Sequence, residues 1–98
     1  MGAKWVEGDL KLWPGCDLRK DFRSGAVVLA TVSRLKPHLR RKRRESRPYA
    51  IRLELPTPKG RTFWPRISDF ATEELAKQAA EKAVAQWRES AGMGWSHV

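Results

Sequence analysis

"PYAIRLEL", Pro48 to Leu55, is the stretch whose reading decides the fold. Tyr49, Ile51, Leu53 and Leu55 fall on one side and Ala50, Arg52 and Glu54 on the other, the alternation of a half-buried antiparallel strand. "PTPKG", Pro56 to Gly60, follows as a turn built of residues with pre-set or permissive φ. "RTFWPRI", Arg61 to Ile67, is the return strand, and Pro65, which cannot donate to a ladder, assigns it to a sheet edge. Pairing Leu55 with Arg61 across the turn sets Leu53 against Phe63 and Tyr49 against Ile67 on the buried side. Arg52 then sits opposite Trp64, Glu54 beside Thr62 and Ala50 beside Arg66 on the other side. A slip of one residue would exchange the two faces.

Upstream, "AVVLATVSRL", Ala26 to Leu35, is rich in β-branched residues and apolar on both sides, so it reads as a central or covered strand. Downstream, "DFATEELAKQAAEKAVAQWRESAG" predicts one helix over Thr72 to Ala91, with Thr72 as N-cap, Glu73 and Glu74 on the favourable end of the dipole and Gly92 as the terminating residue. Leu75, Ala76, Ala79, Ala80, Ala83, Val84 and Trp87 form its apolar stripe, and Phe70 fills the junction with the sheet. The fold class is therefore α+β: a three-stranded antiparallel sheet with one C-terminal helix packed on one face. Residues 26–92 make this β-β-β-α domain, with a basic loop at 36–47. Residues 1–25 are an N-terminal arm or a short hairpin carrying Trp5 and Trp13, placed at the sheet edge or over the face away from the helix. Residues 93–98 are a short tail.

The chain has 98 residues, one domain's length. Its 20 basic and 11 acidic residues give a net charge of +9, a balance that favours polyanionic partners. With one cysteine, Cys16, an internal disulfide and a cysteine zinc cluster are both excluded, which fits a cytoplasmic setting. No apolar run is long enough to span a bilayer, and the N-terminus has neither a secretory h-region nor a myristoylation pattern. His38 and His97 have no acid nearby to orient them, no phosphate-cradling glycine motif or metal-ligand spacing occurs, and the carboxylates near Glu73 read as dipole partners. A non-enzyme without cofactor is expected.

The strongest functional signal is the basic loop. Lys36 precedes Arg40, Arg41, Lys42, Arg43, Arg44 and Arg47, and such a cluster can neutralise several phosphates and release their counterions. A solvated loop with no partner is the alternative. The second signal is the sheet face opposite the helix, where Arg52, Trp64 and Arg66 can stack on bases or grip a backbone, unless Trp5 or Trp13 of the N-terminal arm covers that face. The helix segment 69–91 holds five acids against three bases, which makes it scaffold. These residues predict a non-catalytic nucleic-acid-binding module. The competing expectation is a small interaction, inhibitor or accessory protein of phage or mobile-element type that docks on an acidic protein surface. A membrane-surface role is disfavoured, because the cations do not lie on an amphipathic helix.

The order of strands and helix, together with Phe70, Thr72 and Ala76 in the spacing Phe-x-Thr-x-x-x-Ala, resembles the arm-type or AP2-like DNA-binding units of tyrosine recombinases. That resemblance implies a three-stranded sheet laid in the major groove and buttressed by one helix, with DNA ahead of RNA as partner. The family's basic residues after the Thr are here Glu73 and Glu74, so no phosphate contact from the helix start is implied. "TEELAKQAAEKAVAQW" is also similar to the last helix of double-stranded-RNA-binding domains, whose paired lysines are likewise replaced by acids.

Overall fold

The computed structural model describes residues 3–57, 60–63 and 66–95. Its strands are β1 (Lys4–Glu7), β2 (Cys16–Ser24), β3 (Val27–Leu35), β4 (Tyr49–Thr57), β5 (Gly60–Phe63) and β6 (Ile67–Phe70). A four-residue helix α1 (Lys42–Glu45) lies between β3 and β4, and the long helix α2 (Glu73–Trp95) closes the described chain. The α+β class stands, but the sheet is larger than three strands. It is an antiparallel meander β1-β2-β3-β4-β5, with β6 sharing the outer edge of β4.

The two additional strands come from the N-terminal segment. β2, "CDLRKDFRS", has no clean apolar alternation, because it is flanked on both sides and charged on both faces. Its charges are tolerated because they pair: Arg19 with Asp21 at 3.1 Å, Lys20 with Glu7, and Asp17 with Arg34 at 2.7 Å. A tight turn joins β2 to β3. Gly25 takes φ +62° while Ala26 stays at negative φ, the signature of a II′ hairpin, which matches the twist of its flanking strands.

The return of β4 into β5 differs from the expected register by one residue. Leu55 pairs with Thr62 rather than Arg61, and Glu54 rather than Leu53 pairs with Phe63. The strand runs on through Pro56 to Thr57, whose partner is Gly60. Antiparallel pairs alternate between hydrogen-bonded and open positions. With Thr57 and Gly60 closing the hairpin, Pro56 falls at an open position where its missing N–H removes no ladder bond. The expected single strand Arg61–Ile67 is divided into β5 and β6. Tyr49 pairs with Phe70, Ala50 with Ser68 and Ile51 with Ile67, so neither the Tyr49–Ile67 nor the Ala50–Arg66 pairing forms. Trp64 and Pro65 lie outside the described residues, and with them the Arg52–Trp64 pairing.

α2 packs across β3 and β4. Ala76, Ala80 and Val84 are buried, meeting Leu29, Ala30, Val32, Ile51, Leu53 and Leu55. The alanines let the helix lie close, and Phe70, Ala79, Ala83 and Trp87 pack around this centre. Thr72 caps the helix as expected, its Oγ1 accepting from the Leu75 N–H at 3.1 Å. Leu75 departs from the expected stripe and is exposed, because it lies about 100° around the helix from its neighbour Ala76, which faces the sheet. The helix also runs through Gly92 to Trp95 instead of ending there, since an interior glycine costs only about 1 kcal/mol and does not break the bond pattern.

Three bulges adjust the sheet. Leu29 is the extra residue opposite Phe22, which brings both Leu29 and Ala30 into the core. Asp17 in β2 and Asp69 in β6 are the other two extra residues, and each takes an arginine, Arg34 and Arg47 respectively. No described helix is long and apolar enough to cross a membrane.

Candidate functional site

The register of the strands sorts their charged residues onto two faces. Lys20, Val32, Ile51, Phe22, Ala30 and Leu53 share the face under α2, and Arg19, Asp21, Thr31, Ser33, Ala50 and Arg52 share the other. On that second face Ser33 and Ala50 are buried at the centre, while Arg52 is exposed.

One end of the second face is occupied by the N-terminal segment. A 3-10 turn at Leu10–Leu12, capped by Asp9 accepting from the Lys11 N–H at 2.9 Å, delivers Trp13 onto it. A chain of polar contacts fixes that ring. Asp21, buried in the middle of β2, accepts from Thr31 Oγ1 at 3.3 Å and from Arg19 Nε at 3.1 Å. Arg19 also donates through Nη1 to the Asp9 carbonyl at 2.8 Å and holds its guanidinium 5.0 Å from the centre of the Trp13 ring. The stem of Arg19 crosses Gly8 so closely that a Cβ there would lie 2.6 Å from Arg19 Cγ. A larger residue at position 8 would displace the arginine that backs Trp13.

Beside Trp13 the surface opens into a pocket of about 440 Å³, lined by Leu12, Trp13, Gly15, Cys16, Leu35, Arg52 and Arg66. Among the described residues its walls are apolar and aromatic, its charged groups are two guanidinium ions, and no carboxylate or imidazole lines it. Such a lining is complementary to a flat or apolar group that carries negative charge. Cys16 contributes a buried, free thiol.

The basic connection adjoins this pocket. Lys36 N–H donates to the Gly15 carbonyl at 3.0 Å, Arg40 Nε to the Leu35 carbonyl at 2.7 Å, and Leu35 N–H to the Pro48 carbonyl at 3.1 Å. Segment 36–47 is thus not the unstructured loop its composition implies. It has a 3-10 turn at Pro37–Leu39 and the helical turn α1, and its stem is tied to two residues of the pocket wall.

The ten residues singled out by sequence fall into distinct places. Arg52 and Arg66 are exposed and meet at the pocket. Arg41 and Lys42 are exposed on the basic connection. Lys36 and Arg40 are half-buried at its stem, with Arg40 engaged by backbone. Arg47 is tied to Asp69, both carboxylate oxygens lying 3.1 Å from Nη1. The side chains of Arg43 and Arg44, and the whole of Trp64, lie outside the described set. Sequence reasoning missed Trp13 and Arg19 as members of the site. The signal for Arg19 is its i, i+2 relation to Asp21, which places both on one strand face only once β2 is recognised as a strand.

The two shifted ionisations among the described residues lie away from this face. Lys20 is raised above its ordinary value, first by its hydrogen bond to Glu7. Arg34 is raised by its hydrogen bond to Asp17 and then by that to Tyr49. Among the described residues no three His, Cys, Asp or Glu side chains gather in a metal-binding arrangement.

Comparison of the chain with models of known protein families, with curated proteins and with solved structures returned no match.

Proposed function

We propose that this protein is a non-catalytic nucleic-acid-binding module that works through the basic connection 36–47 and the sheet face bearing Arg52 and Arg66. The observation that carries this reading is the hydrogen bond from the Lys36 N–H to the Gly15 carbonyl, which ties the start of the cation-rich connection to the wall of a pocket containing two more cations. Residues 69–91 account for five of the acids and three of the bases, so the rest of the chain holds seventeen bases against six acids. Positive charge of that density draws a polyanion by counterion release. Arg41, Lys42, Arg43 and Arg44 meet phosphates in this scheme, Arg52 and Arg66 the sugar-phosphate or base edges near the pocket, and α2 holds the sheet in shape. The single buried thiol suits a reducing, cytoplasmic environment.

The resemblance to arm-type recombinase units favours DNA over RNA, but its three motif residues have structural roles here. Phe70 packs on the core, Thr72 caps α2 and Ala76 is buried against the sheet. The second reading, docking on an acidic protein surface, is favoured by one observation: Leu12, 73% exposed, stands at the pocket mouth as an apolar anchor.

The two are separated by titrating labelled single strands and duplexes with the folded protein at low salt, about 50 mM, and repeating at higher salt. Nucleic-acid binding predicts affinity falling with log salt at a slope of roughly −0.7 to −0.9 per phosphate engaged. Absence of binding to every strand and duplex at low salt would remove the nucleic-acid reading and leave the acidic protein partner.

A further inference from the structure

We propose that the pocket beside Trp13 takes one unpaired nucleotide of a single strand, its base stacked on the Trp13 ring and its phosphate held between Arg52 and Arg66. This rests on the nucleic-acid reading and narrows it to unpaired substrates.

The obstructed sheet, the acidic start of α2 and the lining of the pocket lead there. A sheet laid in the major groove must present a flat, unobstructed face, since the groove admits a helix or a two-stranded ribbon and little more. Here that face is interrupted by the turn Leu10–Leu12 and by Trp13, both packed over β2. α2 is no substitute, because Glu73 and Glu74 occupy its first turn. Duplex readout by either element is therefore obstructed.

The pocket instead has the composition of a nucleotide site. Its volume, about 440 Å³, lies within the usual range for small-ligand pockets. Leu12, Leu35 and Cys16 give it apolar walls, and Arg52 and Arg66 supply the planar donors that grip phosphate oxygens. A paired base is stacked inside its helix and cannot enter, whereas an unpaired base can turn out and stack on an aromatic ring. Trp13 is prepared for this. Arg19, which is not part of the lining, backs the ring, and buried Asp21 fixes Arg19, so the indole is held before any ligand arrives. The cations of the connection then lie along the path of the neighbouring phosphates, because Gly15 and Leu35 of the wall are the residues that hold its stem.

The test uses the full chain at low salt with three probes: a labelled oligothymidylate, a duplex of the same length and a free nucleoside monophosphate. The oligothymidylate is expected to bind more tightly than the duplex or the mononucleotide. Addition of it shifts the Trp13 indole N–H resonance, assigned by comparison with Trp13→Phe. Trp13→Leu lowers single-strand affinity by about tenfold or more, and Trp13→Phe recovers most of the loss. Arg66 is exposed, so Arg66→Gln leaves the fold intact and flattens the single-strand salt slope by about 0.7, one phosphate's worth. Equal binding of duplex and single strand, with neither Trp13→Leu nor Arg66→Gln altering it, would sink the pocket assignment while sparing the nucleic-acid reading. A mononucleotide that binds as tightly as the oligomer also overturns it, by making the pocket a small-molecule site. If no nucleic acid binds at all, the underlying reading falls too. Should Trp13→Leu unfold, the indole resonance of the wild type and the Arg66→Gln slope still decide the outcome.

Discussion

Trp5 and Trp13 lie on the same short N-terminal segment, yet the sheet separates them, one on each face. Trp5 turns under α2. Its ring centre is 4.8 Å from that of Phe22, its Nε1 donates to Glu81 at 3.0 Å, and Lys77 lies 5.6 Å from the ring centre. Trp13 turns to the opposite face, where Arg19 backs it and the pocket opens beside it. The same residue type therefore closes a core in one place and borders an opening in the other. The difference lies in what surrounds each ring. Under α2 the cations are matched by carboxylates: Lys20 by Glu7, Lys77 by Glu73 and Arg34 by Asp17. On the other face Arg19 is matched by Asp21, while Arg52 and Arg66 are exposed at a pocket whose described lining residues include no acid.

If one face is for stability and the other for binding, substitutions on the two should separate the two measurements. The largest effect is expected from Leu55→Ala. Leu55 is 2% exposed at the centre of the core, and truncation there costs about 2–5 kcal/mol through lost transfer energy and the cavity left behind. Thermal or denaturant unfolding should register it, while salt dependence of binding by the folded fraction stays as in the wild type. A change of salt slope in this variant would show that the two faces are coupled.

Replacing Arg41, Lys42, Arg43 and Arg44 together by Ala probes the opposite side. Arg40 is kept, because its bond to the Leu35 carbonyl supports the stem of the connection. Affinity should fall by about tenfold to a hundredfold, or about 1.4–2.8 kcal/mol, alike for all sequences, and the salt slope should flatten. Stability should move by no more than about 0.5 kcal/mol, the usual range for substitutions outside a core. Unfolding of this variant would mean that the connection is part of the core.

How much of this division the sequence discloses depends on the kind of signal. β4 and α2 are legible because each buries one face, so apolar residues recur at the period of the element. β2 is not, since both of its faces are charged and its apolar residues, Leu18 and Phe22, are too far apart to show a period of two. Its strand character comes from pairing with β1 and β3, a tertiary fact. The slip in the β4–β5 register has a local cause. Pro56 reads as a turn residue, and only its phase in the ladder reveals that a proline is harmless there. At the site, Arg52 and Arg66 follow from alternation and charge. Trp13 cannot be assigned to a face until β2 is known, because Arg19 and Asp21 are what hold it. The closeness of the basic connection to the pocket depends on bonds to backbone carbonyls from the Lys36 N–H and the Arg40 side chain, and composition carries no trace of those.

The smallest effect should come from the paired cations under α2, and it has a defined pH window. Lys20 keeps its proton more firmly in the folded chain than its ordinary value of 10.5 would give, chiefly because Glu7 accepts a hydrogen bond from its ammonium group. A lysine raised in this way stabilises the fold fully at pH below its unfolded value. The contribution fades as pH climbs through the higher folded value, when the proton is lost and Glu7 loses its partner. Lys20→Met should therefore bring the unfolding midpoints of variant and wild type closer together above pH 10.5 than at neutral pH. Glu7 is largely solvent-exposed, so the difference is small and shrinks with added salt. Binding of single strands by the same variant should match the wild type, because Lys20 lies on the face away from Arg52 and Arg66. A Lys20→Met variant that lost affinity in step with the removed charge would show that the helix face also receives the polyanion, and the division between the two faces would have to be abandoned.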